Sequence, residues 1–399
     1  MIHFQLPKNS PLLYKYITYI GTSENKPTAT ISNSLSYYLN DIKKRIDTKE
    51  TQWDITKRYT NPCEYIHTTV PGKKRSVAKK KPLSRSYFKM IEMVYFFKLL
   101  EQPFIENKEK IRTFHLAEGP GGFIEALVHI RNNLNDEYIG MSILDDDIDP
   151  NIPGWKKSKT FLQDNPNVKI ELGNDESGDI LKLNNFTYCK NKYANQMDLI
   201  TGDGGFDFSV DFNAQEYNIG QLLFAQIAYA LIMQKRNGCF VLKIFDCFMQ
   251  HTIDMMTLLS SFYDKVYITK PQTSRCANSE KYVICKGYCG PSANEIYPYL
   301  HKTFESMIES KQPLFRFLSL PITLLFITKL EEYNAIFGQQ QIENIHYTLT
   351  LIDSQNKDEK MNALLKNNVK KSTDWCIKYG ILHNNINFNN TTTFIEEVI

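Results

Sequence analysis

Apolar positions along the middle of the chain follow two alternating rhythms. From Ser84, a candidate N-cap, Phe88, Ile91, Tyr95 and Leu99 recur at helical spacing through SRSYFKMIEMVYFFKLL. Short, partly β-branched apolar segments follow at residues 113–118, 137–143, 168–172, 197–202, 238–245, 265–270 and 281–286, and read as strands. Helical stretches at 122–134, 216–236 and 248–263 separate several of them. This alternation predicts an α/β fold, a parallel sheet with crossover helices. Residues 271–280 are too few for a helical crossover, so the last two strands should be antiparallel. The expectation is a mostly parallel seven-stranded sheet with a reversed last strand.

The flanks are less regular. Residues 1–83 mix polar, aromatic and basic positions without a sustained period, and are expected to be an irregular N-terminal extension. Residues 84–290 form the predicted catalytic domain. Residues 291–399 read as a helical and mixed C-terminal region with a low-complexity, Asn-rich tail, HNNINFNNTTTF. The longest apolar stretch, 313–330, is broken by Arg316 and Pro321, which predicts core and no membrane span. The opening Met-Ile-His-Phe-Gln has no basic-then-apolar signal pattern.

Net charge (+3) neither favours nor excludes a polyanionic partner. Clustering matters more: Lys73, Lys74, Arg75, Lys79, Lys80 and Lys81 suit a phosphate-facing or nuclear-import segment, or else a solvated mobile linker. The eight cysteines form no CxxC pair and read as reduced thiols of an intracellular protein. Cys285 and Cys289 lack the partners that would complete a zinc site, so no metal is expected.

The first chemical motif is Glu118-Gly119-Pro120-Gly121-Gly122-Phe123, a glycine-rich turn between a strand and an amphipathic helix. Its glycines let the backbone bend and approach a ligand, and the helix N-terminus offers amides to an anion. A carboxylate or a pyrophosphate would fit, but the GxGG spacing departs from the dinucleotide GxGxxG. Asp179 in the following SGDI loop is a candidate acceptor for an adenine amine, or else caps its own turn. Asp145, Asp146 and Asp147 are candidates for ribose hydroxyls. Asp203 ends one strand, and Lys243 sits within the apolar FVLKIF strand, where a lysine needs a partner. Glu280 opens the last strand, and Lys89 lies on the helix before the first.

The ordered set SRSYFK, LAEGPGGF, SGDI, GDGGFD, FVLKIF and SRCANSEKYVIC, over residues 84–288, resembles the FtsJ/RrmJ superfamily of RNA 2′-O-methyltransferases. The resemblance is closest to the mRNA cap enzymes of the Adrift-type and viral branch. It implies a Rossmann-like fold that uses S-adenosylmethionine, held by Glu118 to Phe123, Asp179 and Asp203. It also implies a Lys89, Asp203, Lys243, Glu280 tetrad, with Lys243 as the candidate base. Arg275, Ser274, Ser279 and Glu216 would contact RNA. The implied partner is RNA, capped mRNA above all, with room for a protein partner on the terminal segments. The expected location is cytoplasmic, or nuclear, or a viral factory or virion, since the Asn-, Lys- and Ile-rich composition suits an AT-rich genome. The alternatives are an rRNA or tRNA ribose methyltransferase and an inactive RNA-binding scaffold.

Overall fold

Ten strands and twelve α-helices are described in the computed structural model, which covers residues 1–24, 28–101, 109–144, 154–205, 214–355 and 357–388. In chain order the strands are β1 (Ile2–Gln5), β2 (Ile17–Gly21), β3 (Arg112–Leu116), β4 (Glu137–Met141) and β5 (Val168–Ile170). There follow β6 (Met197–Gly202), β7 (Gln234–Ile244), β8 (Tyr263–Lys270), β9 (Lys281–Tyr288) and β10 (Leu314–Leu318). The first six helices are α1 (Asn33–Asp47), α2 (Glu50–Thr60), α3 (Ser86–Phe97), α4 (Gly122–Arg131), α5 (Lys159–Asp164) and α6 (Leu183–Tyr193). The others are α7 (Gln215–Asn218), α8 (Gly220–Met233), α9 (Gln250–Phe262), α10 (Ala293–Glu309), α11 (Leu324–Asp353) and α12 (Lys357–Lys378).

The main sheet has the order β1-β8-β9-β7-β6-β3-β4-β5. Strands β5, β4, β3, β6 and β7 are mutually parallel, so their carboxyl ends share one edge. Strand β9 lies antiparallel between β7 and β8, as the short 271–280 connection requires. The sheet has eight strands, not seven, because β1 adds antiparallel to β8, pairing Ile2 with Lys270 and Gln5 with Tyr267.

Side chains alternate across the sheet and sort into two cores. Phe240, Leu242 and Ile244 of β7 face the cluster that includes α8, whereas Cys239 and Val241 face the one that includes Tyr87 and Phe88 of α3 and Phe123 of α4. Lys243 shares the parity of Cys239 and Val241, and so emerges at the carboxyl edge on the α3 side. Tyr282 and Ile284 of β9 face the same cluster.

The irregular extension expected before residue 84 is instead ordered. It supplies β1, β2, α1 and α2, and Leu6, Leu13 and Ile17 are buried in the main core. The basic segment is no mobile linker either: Val77 and Ala78 donate backbone hydrogen bonds to Tyr65 and Ile66, and Lys79 donates to Leu382. Lys80 pairs with Glu125 at 2.9 Å. Within the Asn-rich tail, His383 bridges Ala78 and Asn384 bonds Val77, while residues 389–399 lie outside the described residues. The apolar stretch 313–330 divides between β10 and α11, and no helix among the described residues is long and apolar enough to cross a membrane.

Candidate active site

The glycine-rich turn leaves β3 at the carboxyl edge. Gly121 adopts φ 98°, a left-handed conformation that disfavours any side chain. Gly122 also has a packing task. A Cβ there would lie 2.1 and 2.2 Å from the Ser84 and Ser86 hydroxyls, so its bareness lets the start of α3 pack against α4. Glu118 is buried, and its Oε1 accepts the Phe123 amide at 2.5 Å. Its Oε2 is buried without a partner. Burial pushes this carboxyl well above the usual range, and the nearby Asp203 adds to the effect.

Gly178 brings the SGDI loop to the end of β4: a Cβ there would lie 2.0 Å from the Ser142 carbonyl oxygen. The Leu144 amide also donates to the Ser177 carbonyl at 3.0 Å. Asp179 Oδ1 accepts the Leu181 amide at 2.8 Å, closing an Asx-type turn. Asp145, Asp146 and Asp147 lie outside the described residues.

Five side chains meet in one hydrogen-bonded chain: Lys89 of α3, Asp203 just after β6, Lys243 of β7, Glu280 just before β9 and Tyr282 of β9. Lys243 Nζ donates to the Asp203 carbonyl at 2.5 Å and lies 3.4 Å from Asp203 Oδ1. The Tyr282 hydroxyl donates to the same Oδ1 at 3.0 Å and accepts from Lys89 Nζ at 3.4 Å. Lys89 Nζ in turn donates to Glu280 Oε2 at 2.7 Å, and the Ser274 hydroxyl donates to Glu280 Oε1 at 2.7 Å. Burial pushes the Glu280 carboxyl up, but Lys89, Lys243 and Lys270 outweigh it and hold it at about 2. Tyr282 escaped the sequence reading. It stands two residues after Glu280 on the same face and directly opposite Lys243 in the β7–β9 register, a relation only strand pairing reveals.

One face of α3 fastens the turn that carries Glu280. Arg85, Lys89 and Glu92 recur at i, i+4 and i+7. Arg85 donates to the Thr273 carbonyl at 3.0 and 2.8 Å, and buried Glu92 accepts the amides of Gln272 and Thr273, each at 2.8 Å. From the other side Lys270 Nζ donates to the carbonyls of Asn278 (2.8 Å) and Glu280 (2.7 Å). Burial, reinforced by Lys281, pushes the Lys270 amine down to about 7.

Of the residues expected at RNA, Arg275 and Ser274 lie in this turn, but Ser279 and Glu216 do not join the tetrad. Ser279 faces the opposite way, its Oγ accepting from Lys43 at 3.0 Å and from Gln341 at 3.3 Å. Glu216 is buried and accepts the amides of Phe248 (2.9 Å) and Met249 (2.8 Å), capping the approach to α9. Burial pushes its carboxyl up to about 7. Among the described residues no group of three His, Cys, Asp or Glu could hold a metal.

Comparison with known proteins matches residues 82–288 to the family model described as FtsJ-like methyltransferase. The chain is 30% identical over 350 residues to "Cap-specific mRNA (nucleoside-2'-O-)-methyltransferase 2" of Pongo abelii, covering 82% of this chain and 42% of that protein. It is 27% identical over 351 residues to the protein of the same name from Danio rerio, covering 82% of this chain and 44% of the relative. It is also 29% identical over 199 residues to "Cap-specific mRNA (nucleoside-2'-O-)-methyltransferase 1" of Trypanosoma brucei brucei, covering 48% of this chain and 53% of that one. The chain thus spans about half or less of the length of the relatives it matches.

Proposed function

Since the chain belongs to the FtsJ-like methyltransferase family, we propose that it methylates the ribose 2′-hydroxyl of RNA from S-adenosylmethionine, with the first or second nucleotide of capped mRNA as its target. The observation that carries this reading is the unbroken chain from Lys243 through Asp203, Tyr282 and Lys89 to Glu280, beside the glycine-rich turn.

The residues of the turn fit the methionine end of such a cofactor. The unpartnered Glu118 Oε2 suits its ammonium group, and the start of α4, where Gly121 offers no capping side chain, suits its carboxylate. Asp179, and Asp203 with its second oxygen, complete the set expected to hold it. When bound, S-adenosylmethionine supplies an electrophilic methyl group.

A ribose hydroxyl is a weak acid and a poor nucleophile, so the protein must take or polarise its proton while holding the oxygen in place. Lys243 is the base in this reading, held by the Asp203 carbonyl and carboxylate. Lys89 is held by Glu280 and donates toward the same sugar oxygen, and Ser274 keeps Glu280 from turning away. Arg275 contacts RNA phosphate. The reading places the protein inside the cell, in keeping with eight free cysteines.

Mass spectrometry of capped and uncapped oligonucleotides after incubation with protein and methyl donor tests this. Transfer to a 2′-oxygen of the first or second nucleotide, dependent on the cap, is the expected result. Equal transfer to both RNAs rejects the cap, and absence of transfer with intact cofactor binding rejects the activity.

A further inference from the structure

Residues outside the matched segment 82–288 reach the turn that bears Glu280. Glu64, on the one-turn helix Glu64–Ile66, is fully buried, yet holds two arginines from different elements. Arg85 Nη1 donates to Glu64 Oε2 at 2.7 Å. Arg275 grips the same carboxylate with two prongs, Nη2 to Oε1 at 2.9 Å and Nε to Oε2 at 3.2 Å. Next to Arg275, the Cys276 amide donates to Asn61 Oδ1 at 2.8 Å, so two N-terminal side chains tie down this part of the turn.

The two arginines are not equivalent. Arg85 also spends two donors on the Thr273 carbonyl, and its side chain is 19% exposed. The Arg275 side chain is 39% exposed, and its bonds to Glu64 leave the Nη1 edge open to a further acceptor. Two guanidiniums over one carboxylate leave a net positive charge. It lies five residues from Glu280 on the turn and four from Lys89 on α3. Burial pushes the Glu64 carboxyl up, but Arg275 and Arg85 outweigh it and hold it at about 2, so the pairing is ionic.

We propose that Glu64 is a positioning residue that sets Arg275, backed by Arg85, as a binding site for one RNA phosphodiester beside Glu280. A guanidinium held by a buried carboxylate presents its remaining edge in one orientation, which suits the forked geometry of a phosphate and avoids ordering a free side chain on binding. This inference rests on RNA being the substrate.

The test uses the full chain with Glu64→Gln, Arg275→Ala and the double variant, measuring methyl transfer to a capped oligonucleotide and RNA affinity by fluorescence anisotropy. Each single variant should raise the RNA KM and Kd by about tenfold, while kcat changes no more than about threefold and cofactor affinity is unchanged. Because Glu64 acts through Arg275, the double variant should be no worse than the weaker single. Arg275→Ala should also lower the slope of log affinity against log salt by about one, the mark of one lost phosphate contact. Glu64→Asp should restore part of the affinity. If Glu64→Gln unfolds, Arg275→Lys, which keeps the charge and loses the two-pronged grip, should raise KM in the same way. Unchanged RNA affinity, losses that multiply in the double variant, or a fall confined to kcat would overturn the proposal. A wild-type chain that binds cofactor but no RNA refutes the underlying reading instead, and this inference with it.

Discussion

In the proposed reaction Lys243 is the base, and its Nζ sits between the Asp203 carbonyl and carboxylate. Replacing it with Ala should lower methyl transfer by about 10²- to 10⁴-fold with cofactor affinity nearly unchanged, measured by turnover and titration calorimetry. Substantial residual transfer would reject the base assignment. Glu64 and Glu280 make a second, pH-dependent prediction. Both carboxyls lie near 2 in the folded chain, below their unfolded value, so their stabilisation is full above about pH 4.5 and is lost as pH falls toward 2. Each contributes on the order of 3 kcal/mol. Denaturant unfolding at pH 6 and pH 3 should show Glu64→Gln and Glu280→Gln losing less stability between the two pH values than wild type. Equal losses would mean that the ion pairs do not form.

At the scale of elements, the carboxyl edge is assembled by short connections rather than by the strands alone. Gly121 turns the chain from β3 into α4 at φ 98°, so Gly121→Ala should cost about 1–2 kcal/mol of stability. It should also weaken cofactor binding, because the strained turn moves the first amides of α4. Thermal unfolding together with calorimetry checks both, and unchanged affinity would remove the turn from the cofactor site. Much of this edge was legible from residue order: Asp203 ends one strand, Lys243 sits within the next and Glu280 opens the last, and the resemblance of their motifs implies that they meet with Lys89. Tyr282 was not legible, because its partners Asp203 and Lys89 come from other strands and helices. Nor were Glu216 and Ser279, whose motif positions are near the tetrad in order while their polar atoms are bound elsewhere.

Across the whole molecule, the flanking segments are structural partners of the matched segment. Trp375 of α12 meets Phe88 of α3 edge-on at 5.6 Å, and Leu365, Val369, Trp375 and Tyr379 share one core with Tyr87, Phe123 and Tyr138. Exposing these contacts costs on the order of 2 kcal/mol per large side chain. A fragment of residues 82–288 should therefore aggregate or lack cooperative unfolding, whereas the full chain should melt in a single transition monitored by circular dichroism. A stable fragment of full activity would show that the flanks are dispensable.

By itself the sequence determined the strand and helix alternation, the reversed β9 and the glycine-rich turn. Each follows from short-range rules: side-chain period, connection length and backbone freedom at glycine. Tertiary structure alone decided the eighth strand, the burial of Glu64 beneath Arg85 and Arg275, and the fate of Glu216. Strand β1 pairs with residues more than 250 positions away, and a buried carboxylate is recognisable only once its distant cations are in place. Local pattern carries no record of such partners, because the energy that selects them comes from desolvation and pairing across the folded chain.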